Sequence, residues 1–390
     1  MAKKAKARRT REVRADRAVD TLPALTTLTE VPAFEELAPS DAQRSAFDAA
    51  RARAGESADE LALGCVVRLD RGYPAVVTAD ALFRAEFATR LTKGDFSRVA
   101  VGDWVCARRP HGHEMGLIEE ILPRESDIAR WRGSNRGERQ TLAANVDVVM
   151  VVQALGDREV DYARIARSAV VAADCGAHVA VVLTKADRAG AEGMRRDVAA
   201  VREVLGDDVP LSVTCAGAER GADATELRHA ARELGVPFGE QGVRDLVPEG
   251  VVAIVLGESG AGKSTLLNAL LGRDVLETGA VRASDDAGRH TTVARRMVSL
   301  AGAGIIVDEP GLRSLPLVGH ERGLAKIFPD ISGQARHCRF RNCTHTHEPG
   351  CAVLGEADEL GYAGRRLEAY LALAHEMRAS RQTIDPDVVI

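Results

Sequence analysis

Nine consecutive residues, Gly257, Glu258, Ser259, Gly260, Ala261, Gly262, Lys263, Ser264 and Thr265, satisfy the pattern GxxxxGK[ST]. Glycines at these positions let backbone N–H groups wrap a phosphate. Lys263 reaches the β and γ phosphates, and the Ser264 hydroxyl serves Mg2+. The apolar run 251–256 reads as a buried strand entering the loop and residues 266–271 as a helix leaving it, which is the context a phosphate loop needs. Downstream, the apolar run 303–307 ends in Asp308, Glu309, Pro310 and Gly311, a DxxG pattern. Asp308 would hold Mg2+ through water and the Gly311 N–H would meet the γ-phosphate. DxxG alone is a common turn; its place after a phosphate loop makes it a candidate second switch. Between the two lie Gly288, Arg289, His290, Thr291 and Thr292, where either Thr291 or Thr292 could complete the Mg2+ shell. Ras-like enzymes carry a water-orienting glutamine directly after DxxG, but here that position is Leu312. His290 is the candidate catalytic replacement, the alternative being a loop residue without catalytic contact.

The base-reading chemistry precedes the phosphate loop. After the apolar run 179–183 come Thr184, Lys185, Ala186 and Asp187. The Asp187 carboxylate can accept both guanine N1–H and N2–H2, a donor pair that adenine lacks. Thr184 stands where the usual NKxD pattern has asparagine, which is expected to weaken bracing of the loop while keeping the base contact. Thr214, Cys215 and Ala216 follow another short strand and suit a loop beneath the base. The order is therefore base motif, then phosphate loop, then switches, whereas ordinary GTPases begin with the phosphate loop. Such a permutation is physically tolerable because all these loops belong at one edge of a parallel sheet.

A third constellation is Cys338, Cys343, His345 and Cys351. Three thiolates and one imidazole can close a tetrahedral site with no open position, the arrangement of structural Zn2+. Reactive thiols are the alternative, and His337 and His347 compete with His345 as ligands. Arg336, Arg339 and Arg341 make the surroundings basic and suited to phosphates.

The elements that must position these residues follow from texture. Residues 61–122 carry five short runs (62–69, 73–78, 82–88, 103–107 and 116–121) punctuated by Gly, Pro and Asp, the spacing of a small antiparallel barrel, here an OB-fold. From 144 onward apolar strands (146–152, 178–183) alternate with an amphipathic helix at 162–174, the rhythm of a doubly wound α/β domain. Helices at 318–328 and 356–380 flank the Cys/His cluster. Residues 1–17 hold eight Lys or Arg against Glu12 and Asp16, which favours a disordered arm that seeks polyanions or simply a solvated tail. One helix, 42–54, is expected before the barrel. The resulting division is a basic, partly disordered extension at 1–60, an OB-fold at 61–125, a circularly permuted P-loop GTPase domain at 126–317 and a helical zinc-binding domain at 318–390.

With 390 residues and 45% hydrophobic composition, several cores are expected, and a net charge of -5 excludes an indiscriminate polycation. The apolar runs are too short for a membrane span, and no apolar stretch behind the basic N-terminus forms a secretory signal. A cytoplasmic protein with no membrane partner is expected.

A barrel, a GTPase in permuted order with GRHTT and DEPG switches, and a CxxxxCxHxxxxxC site together resemble the ribosome small subunit-dependent GTPase A family (RsgA/YjeQ). The resemblance covers residues 61–380. It implies a monomeric cytoplasmic GTPase of late 30S subunit maturation that contacts 16S rRNA and is stimulated by the small subunit, with GTP/GDP and Mg2+ at the nucleotide site. It maps GTP binding onto Thr184, Lys185, Asp187, the 257–265 loop and Asp308, and one structural Zn2+ onto Cys338, Cys343, His345 and Cys351. It says nothing of the N-terminal extension. Two other readings remain open from sequence: an RNA-binding assembly factor whose nucleotide is structural, and a permuted GTPase acting on another RNA. Because Asp308 to Gly311 leads within about twenty-five residues to the zinc cluster, loss of the γ-phosphate is also expected to swing the terminal domain.

Overall fold

In a computed structural model, the described residues are 22–25, 28, 30–70, 72–88, 91, 99–109, 115–132, 138–215, 222–272, 295–308, 317 and 319–383. The arm at 1–17, the GRHTT stretch with His290, Thr291 and Thr292, and Ala216, Gly311 and Leu312 lie outside them.

Five strands form the barrel: β1 (Leu61–Asp70), β2 (Tyr73–Thr78), β3 (Leu82–Phe87), β4 (Trp104–Arg108) and β5 (Gly116–Ile121). All five follow the predicted runs closely. The order β1-β2-β3-β5-β4 closes through β4 onto β1, with β3 and β5 parallel and the other pairs antiparallel. Alternate side chains such as Val66, Val76, Phe83, Val105 and Ile118 fill its interior.

A two-stranded ribbon, β6 (Asp127–Arg132) and β7 (Glu138–Ala144), leads away from the barrel and was not anticipated. Next come β8 (Val148–Ala154), β9 (His178–Thr184), β10 (Leu211–Val213), β11 (Val252–Leu256), β12 (Arg295–Ser299) and β13 (Ile305–Asp308). Strand β8 begins two residues later than its apolar run, because Val146 is held in the turn by the Ser126 hydroxyl. The spatial order is β10-β9-β8-β11-β13-β12, all parallel except β12, which pairs antiparallel with β13. Central β11 is fully buried and reads as an unbroken apolar run, as a strand covered on both faces must.

Ahead of the barrel lies α1 (Asp41–Ala54). Covering the sheet are α2 (Tyr162–Asp174), α3 (Ala186–Leu205), α4 (Ala222–Glu233), α5 (Glu240–Arg244) and α6 (Lys263–Leu271). The terminal region adds α7 (Glu321–Ile327), α8 (Pro329–Gln334), α9 (Ala352–Gly355) and α10 (Arg365–Thr383). The last helix starts at Arg365 where the sequence suggested 356. Gly361 and Gly364 both adopt positive φ there, which no helix residue can do.

Barrel and α/β sheet are not separate beads. Strand β1 pairs with β12 (Arg68↔Arg296, Leu69↔Arg295), making one eleven-stranded sheet. The segment 30–60, given no role by its sequence, wedges this joint. Ser40 caps α1 and also bonds Glu125, and buried Gln43 donates to the Pro123 carbonyl (3.0 Å) and Asn145 Oδ1 (2.9 Å). Phe34 packs edge-on against Trp104 of the barrel. On the far side, the terminal helices dock on α2 and α3. Asp174 receives His320 (3.0 Å) and the Gly323 N–H (2.9 Å), Arg365 reaches Glu159 and Glu203 (2.7 Å each), and Arg366 donates to the Val204 carbonyl of α3 (2.5 Å). No helix among the described residues is long and apolar enough to cross a membrane.

Candidate functional site

Strands β8, β9, β10, β11 and β13 run parallel, so the segments leaving their carboxyl ends gather at one edge. Three predicted motifs start there: Thr184 ends β9, Gly257 follows β11, and Asp308 ends β13. Thr214 follows β10, its N–H bonded to the Leu183 carbonyl at 2.8 Å.

The phosphate loop is shaped by close backbone approach. A Cβ on Gly257 would lie 2.4 Å from the Val152 carbonyl oxygen of β8, so only glycine lets the chain turn out of the sheet here. Gly260 and Gly262 adopt positive φ, and Lys263 opens α6, which places the first-turn N–H groups of that helix toward the loop. The Lys263 ammonium donates to the carbonyls of Gly257 (2.5 Å) and Glu258 (2.6 Å). Ser264 and Thr265 occupy the first turn of the helix, Thr265 exposed and Ser264 partly so. Glu258 is ion-paired to Arg164 of α2, a contact that sequence reading missed because 94 positions separate the partners.

The base motif is bonded directly to this loop. Buried Thr184 donates its hydroxyl to the Ala261 carbonyl at 2.6 Å, and Lys185 donates to the Gly260 carbonyl. The bracing that the missing asparagine was expected to weaken is thus supplied by a threonine hydroxyl. Lys185 adopts a left-handed conformation (φ 58°) that turns the chain from β9 into α3. Burial, and then the nearby Arg188, pull its ammonium below the usual lysine range against the attraction of Asp187. Asp187 itself stands exposed in the first turn of α3.

Asp308 faces Arg296 directly across the β12–β13 pair, with Arg296 Nε 3.6 Å from Asp308 Oδ2. That arginine was also missed, since only the strand register brings it there.

Cys338, Cys343, His345 and Cys351 converge so that their ligand atoms all lie within 4.8 Å of one another. Cys338 and Cys351 sulfurs are 4.0 Å apart, and His345 Nδ1 lies 3.6 and 3.5 Å from them. Metal–sulfur bonds of about 2.3 Å arranged tetrahedrally require sulfurs slightly under 4 Å apart, so the donor set fits a metal ion. Burial pushes the Cys343 thiol up to about 11. Burial acts on Cys338 in the same sense, but the N–H groups of Val353 and Ala352 and the neighbouring thiols bring it below the usual range. His345 is the member of the competing histidines that joins the sulfurs; His347 bonds Thr346 instead, and His337 is exposed. The loop that carries His345, at φ 59°, is tied by the Glu348 carboxylate, which accepts the N–H groups of Thr344 (2.8 Å), Thr346 (3.1 Å) and His347 (3.2 Å). Arg336, Arg339 and Arg341 are all exposed around it, with Arg339 lying over the exposed Phe340 ring at 5.5 Å.

A phosphate loop at the carboxyl edge of a parallel sheet, bonded to an upstream T-K-x-D motif, defines a P-loop GTPase of permuted order. The chain belongs to the RsgA GTPase family, whose model matches residues 121–318. It is 39% identical over 320 residues to the small ribosomal subunit biogenesis GTPase RsgA of Streptomyces coelicolor, covering 82% of this chain and 81% of that protein. A relative of the same name from Methanosarcina acetivorans is 36% identical over 277 residues, 71% of this chain and 69% of its own. In fold, the chain is similar to YjeQ from Thermotoga maritima (TM-score 0.58, 22% identity, 82% of this chain and 99% of that one). It is also similar to YloQ, described as a circularly permuted GTPase (TM-score 0.55, 18% identity, 82% and 96%).

Proposed function

We propose that this protein hydrolyses GTP during late maturation of the 30S ribosomal subunit, as a cytoplasmic monomer that contacts 16S rRNA and is stimulated by the small subunit. One observation carries the nucleotide half of this reading: Thr184 and Lys185 are bonded to Ala261 and Gly260, which makes the base motif and the phosphate loop walls of a single site. In that site the loop of Gly257, Glu258, Ser259, Gly260, Ala261 and Gly262 cradles phosphates with backbone N–H groups. Lys263 leaves its carbonyl partners for the β and γ oxygens, and Asp187 selects guanine. Ser264 and Asp308 are the residues that would hold Mg2+, which when bound neutralises charge developing on the β and γ phosphates. Thr291 or Thr292 would complete the Mg2+ shell, the Gly311 N–H meets the γ-phosphate, and His290 orients the attacking water in place of the glutamine that Leu312 replaces.

The subunit half of the reading rests on the relatives' names and on the terminal region. Zn2+ held by Cys338, Cys343, His345 and Cys351 stiffens a surface in which Arg336, Arg339 and Arg341 are all exposed, a chemistry suited to rRNA phosphates. The working units are the barrel (61–125), the GTPase domain (126–317) and the metal domain (318–390).

The test is GTP hydrolysis with and without purified 30S subunits, in the wild type and in Lys263→Ala. Stimulation by subunits that disappears in Lys263→Ala is expected. Turnover that subunits leave unchanged, or an equal preference for ATP, would overturn the reading.

A further inference from the structure

Arg296 stands at the meeting point of three parts of the molecule. On β12 it is opposite Asp308 of β13 in one direction and opposite Arg68 of the barrel strand β1 in the other. Arg68 is drawn away by Asp70, at 2.8 Å, and Arg84 closes on the same carboxylate at 2.6 Å. Arg296 is left facing two acids: Asp308 Oδ2 at 3.6 Å from its Nε, and Glu30 Oε2 at 3.4 Å from its Nη1. All three side chains are only about one fifth exposed, at 19%, 20% and 18%, so these charges feel each other more strongly than surface pairs do.

Glu30 is held in place by its backbone. Its carbonyl accepts the Ser299 N–H at 3.0 Å, and Glu36 farther on takes the Ser299 hydroxyl, so both ends of this stretch are tied to one residue of β12. Phe34 between them anchors on Trp104. The N-terminal segment thus places a carboxylate beside an arginine that faces Asp308 across the strand pair.

We propose that Arg296 is a positioning residue, shared between Glu30 and Asp308, and that Glu30 sets how readily Asp308 turns to the Mg2+ of the nucleotide site. The inference rests on the reading of Asp308 given above. A guanidinium has enough donors to serve two carboxylates, but its charge is divided between them. With Glu30 in place, Asp308 draws on only part of the Arg296 charge, and a hydrated cation competes with a weaker partner for its carboxylate. Without Glu30, the whole charge of Arg296 falls on Asp308, and Mg2+ must compete with it. A displacement of the N-terminal segment therefore reaches the nucleotide site through two side chains.

The experiment titrates Mg2+ against binding of a fluorescent methylanthraniloyl-GDP to the full chain, with thermal melts as a control on folding. Glu30→Gln is expected to raise the half-saturating Mg2+ concentration by about threefold to tenfold, the range open to a half-buried ion pair. In an Arg296→Gln background the same change should have no effect, because the coupling has lost its carrier. Arg296→Lys keeps the charge but presents a point donor in place of a fork, and should fall between. Additive effects of Glu30→Gln and Arg296→Gln, or a titration unmoved by Glu30→Gln, would refute the coupling. Asp308→Asn separates the two failures: if it leaves the Mg2+ titration unchanged, the reading of Asp308 is wrong; if it shifts the titration while the cycle is additive, only the coupling is wrong.

Discussion

Thr184→Val is the perturbation that asks most directly whether base motif and phosphate loop work as one site. Valine matches threonine in shape and removes only the hydroxyl. Thr184 is 3% exposed, and its Oγ1 donates to the Ala261 carbonyl at 2.6 Å while lying 3.5 Å from the Gln153 carbonyl, a contact too long to contribute much. The substitution therefore leaves one loop carbonyl without its buried donor, a loss of about 1–3 kcal/mol. Part of this will appear as fold stability. The rest will appear in nucleotide affinity, because the unbraced carbonyl belongs to the loop that must hold its N–H groups toward phosphate. We expect GDP and GTP to bind about fivefold to fiftyfold more weakly in fluorescence titrations. Thr184→Ser, which keeps the hydroxyl, should stay close to wild type, and Thr184→Asn should recover most of the affinity by offering an amide donor. The reasoning fails if Thr184→Val binds nucleotide as tightly as wild type, or if Thr184→Ser binds as weakly as Thr184→Val.

Stripping the Cys338, Cys343, His345 and Cys351 site with a chelator should release zinc, measurable with a colorimetric indicator, and lower the melting temperature; Cys338→Ser should reproduce the loss. Arg124→Met should cost about 3–5 kcal/mol in urea unfolding, because it strands the fully buried Asp103 carboxylate held at 2.7 Å, and a paired Asp103→Asn should recover part of that. For Asp70, burial lifts the carboxyl but Arg68 and Arg84 overcome it, leaving it below its ordinary 3.8. A depressed carboxyl stabilises the fold above its unfolded-state value and loses that contribution as pH falls through the lower folded one. The stability gap between wild type and Asp70→Asn should therefore narrow below about pH 4. Subunits should bind more tightly with a nonhydrolysable GTP analogue than with GDP if the terminal domain moves, and such a movement has to break the His320–Asp174 pair; equal affinities would exclude it.

Much of this architecture was legible because local pattern and tertiary role agree. The barrel strands alternate, β11 is an uninterrupted apolar run, and the phosphate loop follows it directly, so periodicity and spacing sufficed for these elements. The metal cluster was legible for a related reason: three thiolates and an imidazole within fourteen residues have few other uses. What could not be read is what depends on register between distant segments. Arg296 meets Asp308 only because β12 pairs with β13 in one register, and Glu30 joins them across more than 260 positions. Gln43 looks like any polar helix residue until the joint between barrel and sheet buries it. Thr184 appeared to be a weakened asparagine because a motif names a residue type, whereas the loop needs only a donor at the right distance from Ala261.

The strand order β10-β9-β8-β11-β13-β12 also dictates how the chain must be made. A ribosome extrudes β8, β9 and β10 well before β11, although β11 is the neighbour that covers the inner edge of β8. For some hundred residues of synthesis the nascent protein presents an unpaired, apolar strand edge, the surface on which chains adhere to one another. Guanine nucleotide cannot relieve this early, because its phosphate loop is still unmade. The half that names the base must wait for the half that grips the phosphates, and β12 finally zips the sheet to a barrel completed long before.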